Sequence, residues 1–230
     1  IYKYRNLIEL NYETDQAFLS KNNKIKIITD GKEKFKLLFE DIKNAKQYIH
    51  IQYYILKKDG IGKQLFSLLE QKLKEGVQVY ILYDDIGSRK LSISSLKNLT
   101  DNNAKIKSFF KSRFPLINFR MNYRNHRKLV IIDGDIGYTG GFNVGDEYLG
   151  LDKKFGYWRD THLRIEGEAV GSLEYRFIDD WNSQSSKQTE QLKLKSEHVS
   201  TPVDNYLPIQ MVASGPDNKL QKIKYGYLHM

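Results

Sequence analysis

A histidine and a lysine stand two positions apart, at His126 and Lys128, directly before the apolar stretch 129–132. Residues two apart in a β-strand share a face, so these two side chains are predicted to project together. An imidazole beside a fixed cation can act as a nucleophile or base on a substrate whose negative charge the ammonium holds. Asp133 follows at the predicted strand end, before Gly134 and a predicted turn.

A glycine pair and an asparagine follow that turn. Gly140 and Gly141 come first, and Asn143 stands two residues later. Because glycine lacks a Cβ, the backbone at such a pair can approach a ligand closely. Asn143 would add a polar contact to the same ligand. The spacing therefore indicates a ligand-binding site.

Strand and helix patterns alternate through most of the chain and must position these residues. The predicted strands are 24–29, 48–55, 77–83, 106–110, 119–123 continuing through 129–132, and 161–165. The predicted helices are 35–45, begun by Asp30 as N-cap, then 61–73, 91–99 and 170–181. Such alternation predicts an α/β fold with a mixed, largely parallel sheet covered on both faces.

A polar segment rich in Ser, Gln and Lys follows the last strong helix. We interpret residues 1–182 as one lobe and residues 183–207 as a linker. The strand pattern then restarts at 209–213 and a helical pattern follows, so residues 208–230 are predicted to begin a second, similar lobe. The chain begins with Ile1, and we expect further sequence upstream of it.

Composition narrows the function classes. The 230 residues are 40% hydrophobic and 28% charged, which is globular composition. The chain has no cysteine, so disulfides, thiolate metal sites and a cysteine nucleophile are excluded. No apolar run approaches the roughly 18 residues of a membrane span. The net charge of +9 favours an anionic partner: nucleic acid, acidic membrane or a phosphate-bearing substrate.

Much of that charge lies just before the histidine and lysine. No acidic residue occurs between Asp101 and Asp133, and aromatic residues alternate with the basic ones there. We favour a functional field over a merely solvated basic face, because the run leads into the candidate site. An anionic membrane interface and single-stranded nucleic acid both fit the mixture. The basic residues are Lys105, Lys107, Lys111, Arg113, Arg120, Arg124, Arg127 and Lys128.

The remaining candidates favour structural roles. His50 lies in a predicted strand and is interpreted as an interior histidine. His162 lies two residues after Asp160, and could line the site or be structural. Asp84 and Asp85 end a predicted strand and could suggest a metal, but they lack further ligands at suitable spacing, so a loop or cap role is favoured.

The pattern of His, Lys, Asp, Gly and Asn at 126, 128, 133, 140 and 143 resembles the signature of the phospholipase D superfamily. All five positions match. The flanking runs 123–128, 140–148 and 157–167 resemble bacterial cardiolipin synthases in particular. The resemblance covers nearly the whole chain and implies a phospholipase D-like α/β/α sandwich.

The resemblance implies a route through a phosphohistidine. His126 would attack the phosphorus of a phosphodiester, and Lys128 would hold its non-bridging oxygens. Asp160 would hold the other nitrogen of His126, as the third member of a triad does. Asp133 is the signature acid, and we favour a role in fixing the turn over a role in the chemistry. Asn143 would donate to the phosphate.

Four further residues complete the predicted substrate site: Gly140, Gly141, Arg124 and Arg127. The resemblance implies neither a metal nor a cofactor.

The family also implies the reaction and the partners. Two phosphatidylglycerol molecules would give cardiolipin and glycerol, at the surface of a bacterial cell membrane. The partners would be anionic phospholipid and the membrane surface, with nucleic acid not expected. Family enzymes use two signature copies, and this sequence holds one, so a second lobe of the same polypeptide or a homodimer would complete the site. A nuclease-like phosphodiesterase and an inert lipid-binding lobe remain alternatives.

Overall fold

The chain folds into a mixed sheet with helices on both faces. The structure is a computed structural model, which describes residues 2–109, 125–194, 205–215 and 220–230. The strands are β1 Leu19–Asp30, β2 Tyr48–Tyr53, β3 Gln78–Asp84, β4 Lys105–Phe109, β5 Leu129–Ile132, β6 Ile136–Gly140, β7 Arg159–Gly167 and β8 Tyr206–Gln210. The helices are α1 Arg5–Asp15, α2 Gly31–Lys43, α3 Gly60–Lys74, α4 Lys97–Asp101, α5 Ala169–Ser183 and α6 Lys222–Leu228.

The sheet has the order β4-β3-β2-β5-β6-β7-β1-β8. Within these described strands, only β2–β3 and β3–β4 pair in parallel, and the other neighbours are antiparallel. The predicted mixed sheet is confirmed, but its description as largely parallel is wrong. The physical reason is the short turn between β5 and β6, since a parallel neighbour needs a crossover of a dozen residues or more.

Helices cover both faces, which confirms the predicted three-layer sandwich. Helices α2 and α3 pack on one face, where their apolar side chains meet Ile49, Ile51 and Ile81 of the sheet. Helix α5 packs on the other face. Its buried residues Val170, Leu173, Phe177 and Trp181 recur at helical spacing and meet Ile131 and Ile165 among others.

Local signals placed most elements correctly. Asp30 caps α2, as predicted, by accepting a hydrogen bond from the Glu33 N–H at 2.9 Å. The predicted helix 91–99 is instead a 3₁₀ turn, Ile93–Leu96, followed by the short α4. Helix α1 and strand β6 were not predicted from the sequence. The predicted strand 119–123 lies outside the described residues.

The C-terminal stretch joins the same sheet. β8 pairs antiparallel with β1, where Leu19 faces Gln210 and Asn22 faces Tyr206. The strand predicted at 209–213 is observed as β8, which begins three residues earlier, at Tyr206. The division into a lobe, a linker and a second lobe stays a prediction. None of the helices in the described ranges is long and apolar enough to cross a membrane.

A lysine is fully buried beneath the sheet edge that carries the candidate site. Lys34 of α2 is 0% exposed, and its ammonium donates to the Tyr53 hydroxyl at 2.8 Å. The ammonium also lies 3.7 Å from the centre of the Phe35 ring. No carboxylate in the described ranges forms an ion pair with it, and burial holds the pKa of Lys34 well below its ordinary value.

We expect the double variant Lys34→Met/Tyr53→Phe to be more stable than the wild type near pH 7. It removes both hydrogen-bond partners together, so no buried polar atom is left unpaired. Lys34 binds a proton more weakly in the folded state than in the unfolded state. The free energy of unfolding of the wild type therefore decreases as the pH falls below the pKa of this lysine in the unfolded chain. Each pKa unit of that depression corresponds to about 1.4 kcal/mol.

Urea denaturation at pH 6, 7.5 and 9 measures this difference. The advantage of the variant should shrink as pH rises toward 10. A wild type that is more stable than the variant at every pH would contradict the prediction.

Candidate active site

One edge of the sheet gathers the predicted site residues. Gln52 near the end of β2 faces Leu129 at the start of β5, so the residues before β5 lie at the carboxyl end of β2. Thr139 of β6 also faces Leu129, and Gly140 faces His162 near the start of β7. The antiparallel pairings therefore bring three chain segments to this edge.

His126 and Lys128 meet there, as their spacing predicts. The Lys128 ammonium lies 3.0 Å from His126 Nδ1 and 3.5 Å from Nε2, and it donates to the His126 carbonyl at 2.7 Å. The imidazole is exposed, whereas the lysine is 4% exposed. The Tyr54 ring lies beside the pair, with its centre 4.5 Å from that of the imidazole. An anion entering here meets an imidazole edge and an ammonium together.

The electrostatics suit a neutral imidazole beside a titratable cation. Burial and the charge of Lys128 lower the pKa of His126, and Asp84 partly opposes them. Burial lowers the pKa of Lys128 to about 8, against the opposing charge of Asp160. At neutral pH the imidazole is then a free base and most of the lysine is still charged.

Buried polar side chains hold the backbone on each side of His126. Asp180 of α5 accepts from Arg127 Nη1 at 2.7 Å, from Asn125 Nδ2 at 2.9 Å and from Gln52 Nε2 at 2.7 Å. The Asn125 N–H also donates to Asp84 at 3.3 Å. The Arg127 guanidinium forms an ion pair with Asp180, and its contact with substrate stays a prediction.

Asp180→Asn should weaken both the fold and the chemistry. The amide replaces one acceptor oxygen by a donor, so buried donors lose their partner, at a cost of about 1–3 kcal/mol. The loosened segment should slow any reaction that needs His126 held in position roughly 10- to 100-fold. Urea denaturation and the turnover rate measure the two effects. Glu70→Gln, which breaks the exposed Lys74–Glu70 ion pair, is the control and should change neither.

Asp133 lies at the far end of β5 from His126. Its carboxylate accepts from the backbone N–H groups of Lys46, Gln47 and Tyr48 at 2.7, 2.8 and 2.9 Å. The residue itself takes a left-handed conformation, with φ of 54°. These contacts tie the β5–β6 turn to the start of β2 and leave the carboxylate far from the imidazole.

Asp160 does not make the predicted hydrogen bond to His126 among the described contacts. Its carboxylate accepts hydrogen bonds from the backbone N–H of the next residue, Thr161, at 2.7 Å and from Trp158 Nε1 at 3.4 Å. The charge of Asp160 instead acts on Lys128, whose ammonium occupies the nitrogen side of the imidazole. Among the described contacts, Asp160 therefore acts on the pKa of Lys128 and forms no hydrogen bond with His126.

The glycine pair packs closely against β7, and its contact with a ligand stays a prediction. A Cβ at Gly140 would lie 2.6 Å from His162 Nδ1, and φ there is +152°. A Cβ at Gly141 would lie 1.9 Å from the Asp160 carboxylate. Neither position has room for a side chain, because β7 already occupies the space.

Asn143 also faces inward. It is 4% exposed, its Oδ1 accepts from the Ile55 N–H at 3.0 Å, and its Nδ2 donates to the Tyr148 hydroxyl at 2.7 Å. These contacts fix the chain beside the site, and donation from Asn143 to a phosphate stays a prediction. Arg124 lies outside the described residues.

His50 and His162 are interior. His50 stacks on Phe177, with ring centres 4.5 Å apart, and lies 3.6 Å from Glu174. His162 is 1% exposed, and burial together with Lys34 and Lys128 lowers its pKa to about 2, so it is neutral. Asp84 has the predicted loop role, since it accepts from the N–H groups of Ile86 and Gly87. No cluster of three potential metal ligands occurs in the part of the chain described.

A cavity of about 860 Å³ opens beside the His126–Lys128 pair. Apolar side chains make up much of its wall, from the segment before β1, from α5 and from the end of the chain: Ala17, Phe18, Leu173, Leu194, Met211 and Ile223. The site thus joins a polar, cationic end to an apolar space.

Sequence reasoning missed Tyr54, Tyr148 and Asp180. Tyr54 directly follows a strand that ends at the site edge, which is a usable signal. Asp180 stands on a helix turn whose neighbours Phe177 and Trp181 are core residues, so its burial could have been inferred. Tyr148 carries no local signal. Burial raises its pKa to about 12, so it stays protonated.

Comparisons with known proteins agree with this geometry. A family model described as "Cardiolipin synthase, PLD-like domain" matches residues 38–181. Cardiolipin synthase 2 of Staphylococcus epidermidis is 52% identical over 100% of this chain and 47% of that protein. A cardiolipin synthase of Oceanobacillus iheyensis is 51% identical over 99% of this chain and 47% of that protein. The chain therefore spans about half the length of these curated relatives.

A solved structure supports the fold. The chain is similar to phosphatidylserine synthase of Haemophilus influenzae with a TM-score of 0.57 and 17% identity, over 76% of this chain and 40% of that one. At that identity the likeness concerns the arrangement of strands and helices alone.

Proposed function

Because the chain belongs to the family of cardiolipin synthases with a phospholipase D-like domain, we propose that it catalyses phosphatidyl transfer between two phosphatidylglycerol molecules. The products are cardiolipin and glycerol. The observation that carries the proposal is the exposed His126 imidazole within 3.0 Å of the buried Lys128 ammonium. That pair can attack a phosphodiester and hold its charge.

The proposed reaction has two steps. In the first, a His126 ring nitrogen bonds to phosphorus, and the bond from phosphorus to the glycerol oxygen breaks. Glycerol leaves with a proton, and a phosphatidyl group stays on the imidazole. In the second, a hydroxyl of another phosphatidylglycerol attacks phosphorus and gives its proton to the group that protonated glycerol, the bond to nitrogen breaks, and cardiolipin forms. Splitting one displacement into two is the gain from covalent catalysis.

Lys128 and the cavity support different parts of the substrate. The ammonium would hold the non-bridging oxygens as negative charge builds in each transition state. The apolar wall of the 860 Å³ cavity suits the acyl chains or the glyceryl ester part of the lipid. A lipid phosphodiester has both features in one molecule, which favours it over a nucleic-acid phosphodiester.

We further infer that this lobe supplies half of the catalytic groups. The sequence holds one His-x-Lys signature, and the matched relatives are about twice as long. A second histidine would protonate the leaving glycerol oxygen, which is general acid help worth roughly 10²–10⁴ in rate. A second lobe of the same polypeptide would bring it, or a second copy of this chain.

The test uses phosphatidylglycerol vesicles labelled in the acyl chain and a labelled oligodeoxynucleotide in parallel. We expect an acid-labile phosphatidyl adduct on the chain and cardiolipin formation that rises more than linearly with chain concentration. Sedimentation of the same samples gives the oligomeric state. Cleavage of the DNA with no lipid adduct would contradict the proposed function. Rapid turnover by a demonstrated monomer would contradict the half-site.

A further inference from the structure

A short loop beside the site exposes apolar and basic side chains together. Residues 151–157 connect the 3₁₀ turn Asp146–Leu149 to β7, and all seven are exposed. Leu151 is 61% exposed, Phe155 52% and Tyr157 70%. Lys153 and Lys154 lie between them, and neither forms an ion pair within the described ranges. Exposed apolar side chains gathered in one loop indicate an interaction site.

The loop has a defined shape. Asp152 accepts from the Lys154 N–H through its side chain at 2.9 Å, and its carbonyl accepts from the Phe155 and Gly156 N–H groups at 3.1 and 2.9 Å. The Asp152 carboxylate is thereby engaged with the backbone. Gly156 has φ of +63°, which completes the turn in a conformation that favours glycine. Lys153 and Lys154 outnumber Asp152, so the loop carries a net positive charge, and the Lys154 ammonium lies 5.7 Å from the centre of the Phe155 ring.

The base of the loop is attached to the site. Trp158 packs edge-on against Tyr148, with ring centres 5.0 Å apart, and against Phe155 at 5.8 Å. Its indole N–H donates to Asp160 at 3.4 Å, and the charge of Asp160 acts on Lys128. The loop is therefore held close to the residues that would bind the lipid phosphate.

We propose that the 151–157 loop docks this site on an anionic lipid surface. Leu151, Phe155 and Tyr157 would enter the headgroup region, and Lys153 and Lys154 would contact lipid phosphates. The proposal rests on the proposed function, because that function places the substrate in such a bilayer.

The residue types favour a membrane over a protein partner. Aromatic and aliphatic side chains next to lysine are typical of a membrane interface, where the lysine stem lies along the apolar layer and the ammonium reaches phosphate. Protein–protein interfaces are instead depleted in lysine.

Sedimentation of the chain with vesicles tests the docking surface. One set of vesicles contains equal parts of phosphatidylglycerol and phosphatidylcholine, and the other contains phosphatidylcholine alone. Phe155→Ser/Tyr157→Ser should weaken binding to the mixed vesicles roughly tenfold or more. Lys153→Gln/Lys154→Gln should weaken binding to the mixed vesicles by about tenfold or more and leave binding to the neutral ones unchanged.

Two matched controls lie at the opposite edge of the sheet. Tyr206→Ser removes an aromatic residue that is 61% exposed. Lys43→Gln/Lys46→Gln removes two charges from exposed positions between the end of α2 and the start of β2. Both controls should bind vesicles within twofold of the wild type. Controls that lose as much as the loop variants would show a general charge effect and overturn the proposal.

Vesicle binding needs no chemistry, so the docking surface and the reaction are tested separately. Adduct formation by the wild type on dispersed short-chain phosphatidylglycerol reports the proposed function alone. Loop variants that bind mixed vesicles like the wild type would overturn the docking proposal, whatever the adduct assay gives. Unchanged vesicle binding with altered self-association would overturn it in favour of a protein contact.

Discussion

His126→Ala is expected to abolish the phosphatidyl adduct and to reduce phosphatidyl transfer at least about 10³-fold. The imidazole is the nucleophile in the proposed reaction, whereas His162, whose pKa Lys128 also affects, is 1% exposed. The side chain is exposed, so its loss should leave the free energy of unfolding within about 0.5 kcal/mol. The measurement is acid-labile label bound per chain after reaction with labelled phosphatidylglycerol.

His229→Ala is the matched control. His229 is exposed at the end of α6 and should keep the wild-type amount of adduct. An adduct of normal size on His126→Ala, mapped to another residue, would remove His126 from its proposed role.

Lys128→Met should reduce the rate of adduct formation roughly 10²–10³-fold at pH 7. Methionine keeps an unbranched apolar chain but loses the charge that would hold the phosphate oxygens. The wild type should also lose activity above pH 8, because burial lowers the pKa of Lys128 to about 8 and the protonated form is the active one. The rate should then fall tenfold per pH unit.

Lys128→Arg separates charge from shape. A guanidinium stays protonated throughout this range, so the alkaline fall near pH 8 should disappear in that variant, even if its rate at pH 7 is lower. Rate–pH profiles of the three proteins measure this. An alkaline fall with the same midpoint in Lys128→Met would assign the titration to another group.

Local rules were sufficient where a contact depends on neighbours in the sequence. The proximity of His126 and Lys128 is confirmed, although both residues lie just before β5 and not within a strand as the prediction assumed. The cap at Asp30 and the apolar face of α5 follow from residue types and helical period, and they are confirmed too. The family resemblance is also confirmed by the matching family model.

Local rules did not find contacts between residues distant in the sequence. The Arg127 guanidinium pairs with Asp180, which lies 53 residues away. The family resemblance implied that Asp160 holds His126, whereas the described hydrogen bonds of Asp160 are with Trp158 and Thr161. β6 escaped prediction because its apolar residues are few and glycine stands at both Gly137 and Gly140. Such outcomes depend on tertiary distances, which periodicity does not contain.

The place of β1 in the sheet has a consequence for biosynthesis. β1 pairs Asp30 with Arg159 and Asn23 with Gly167, so each rung joins residues more than a hundred positions apart. A chain emerging from the ribosome exposes β1 without its partner until β7 has been made, whereas the parallel unit β2–α3–β3 can close early. Contacts of such long range slow folding and leave a strand edge open to other chains. We therefore expect the yield of folded protein to depend on translation speed and chaperone supply more steeply than its final stability implies.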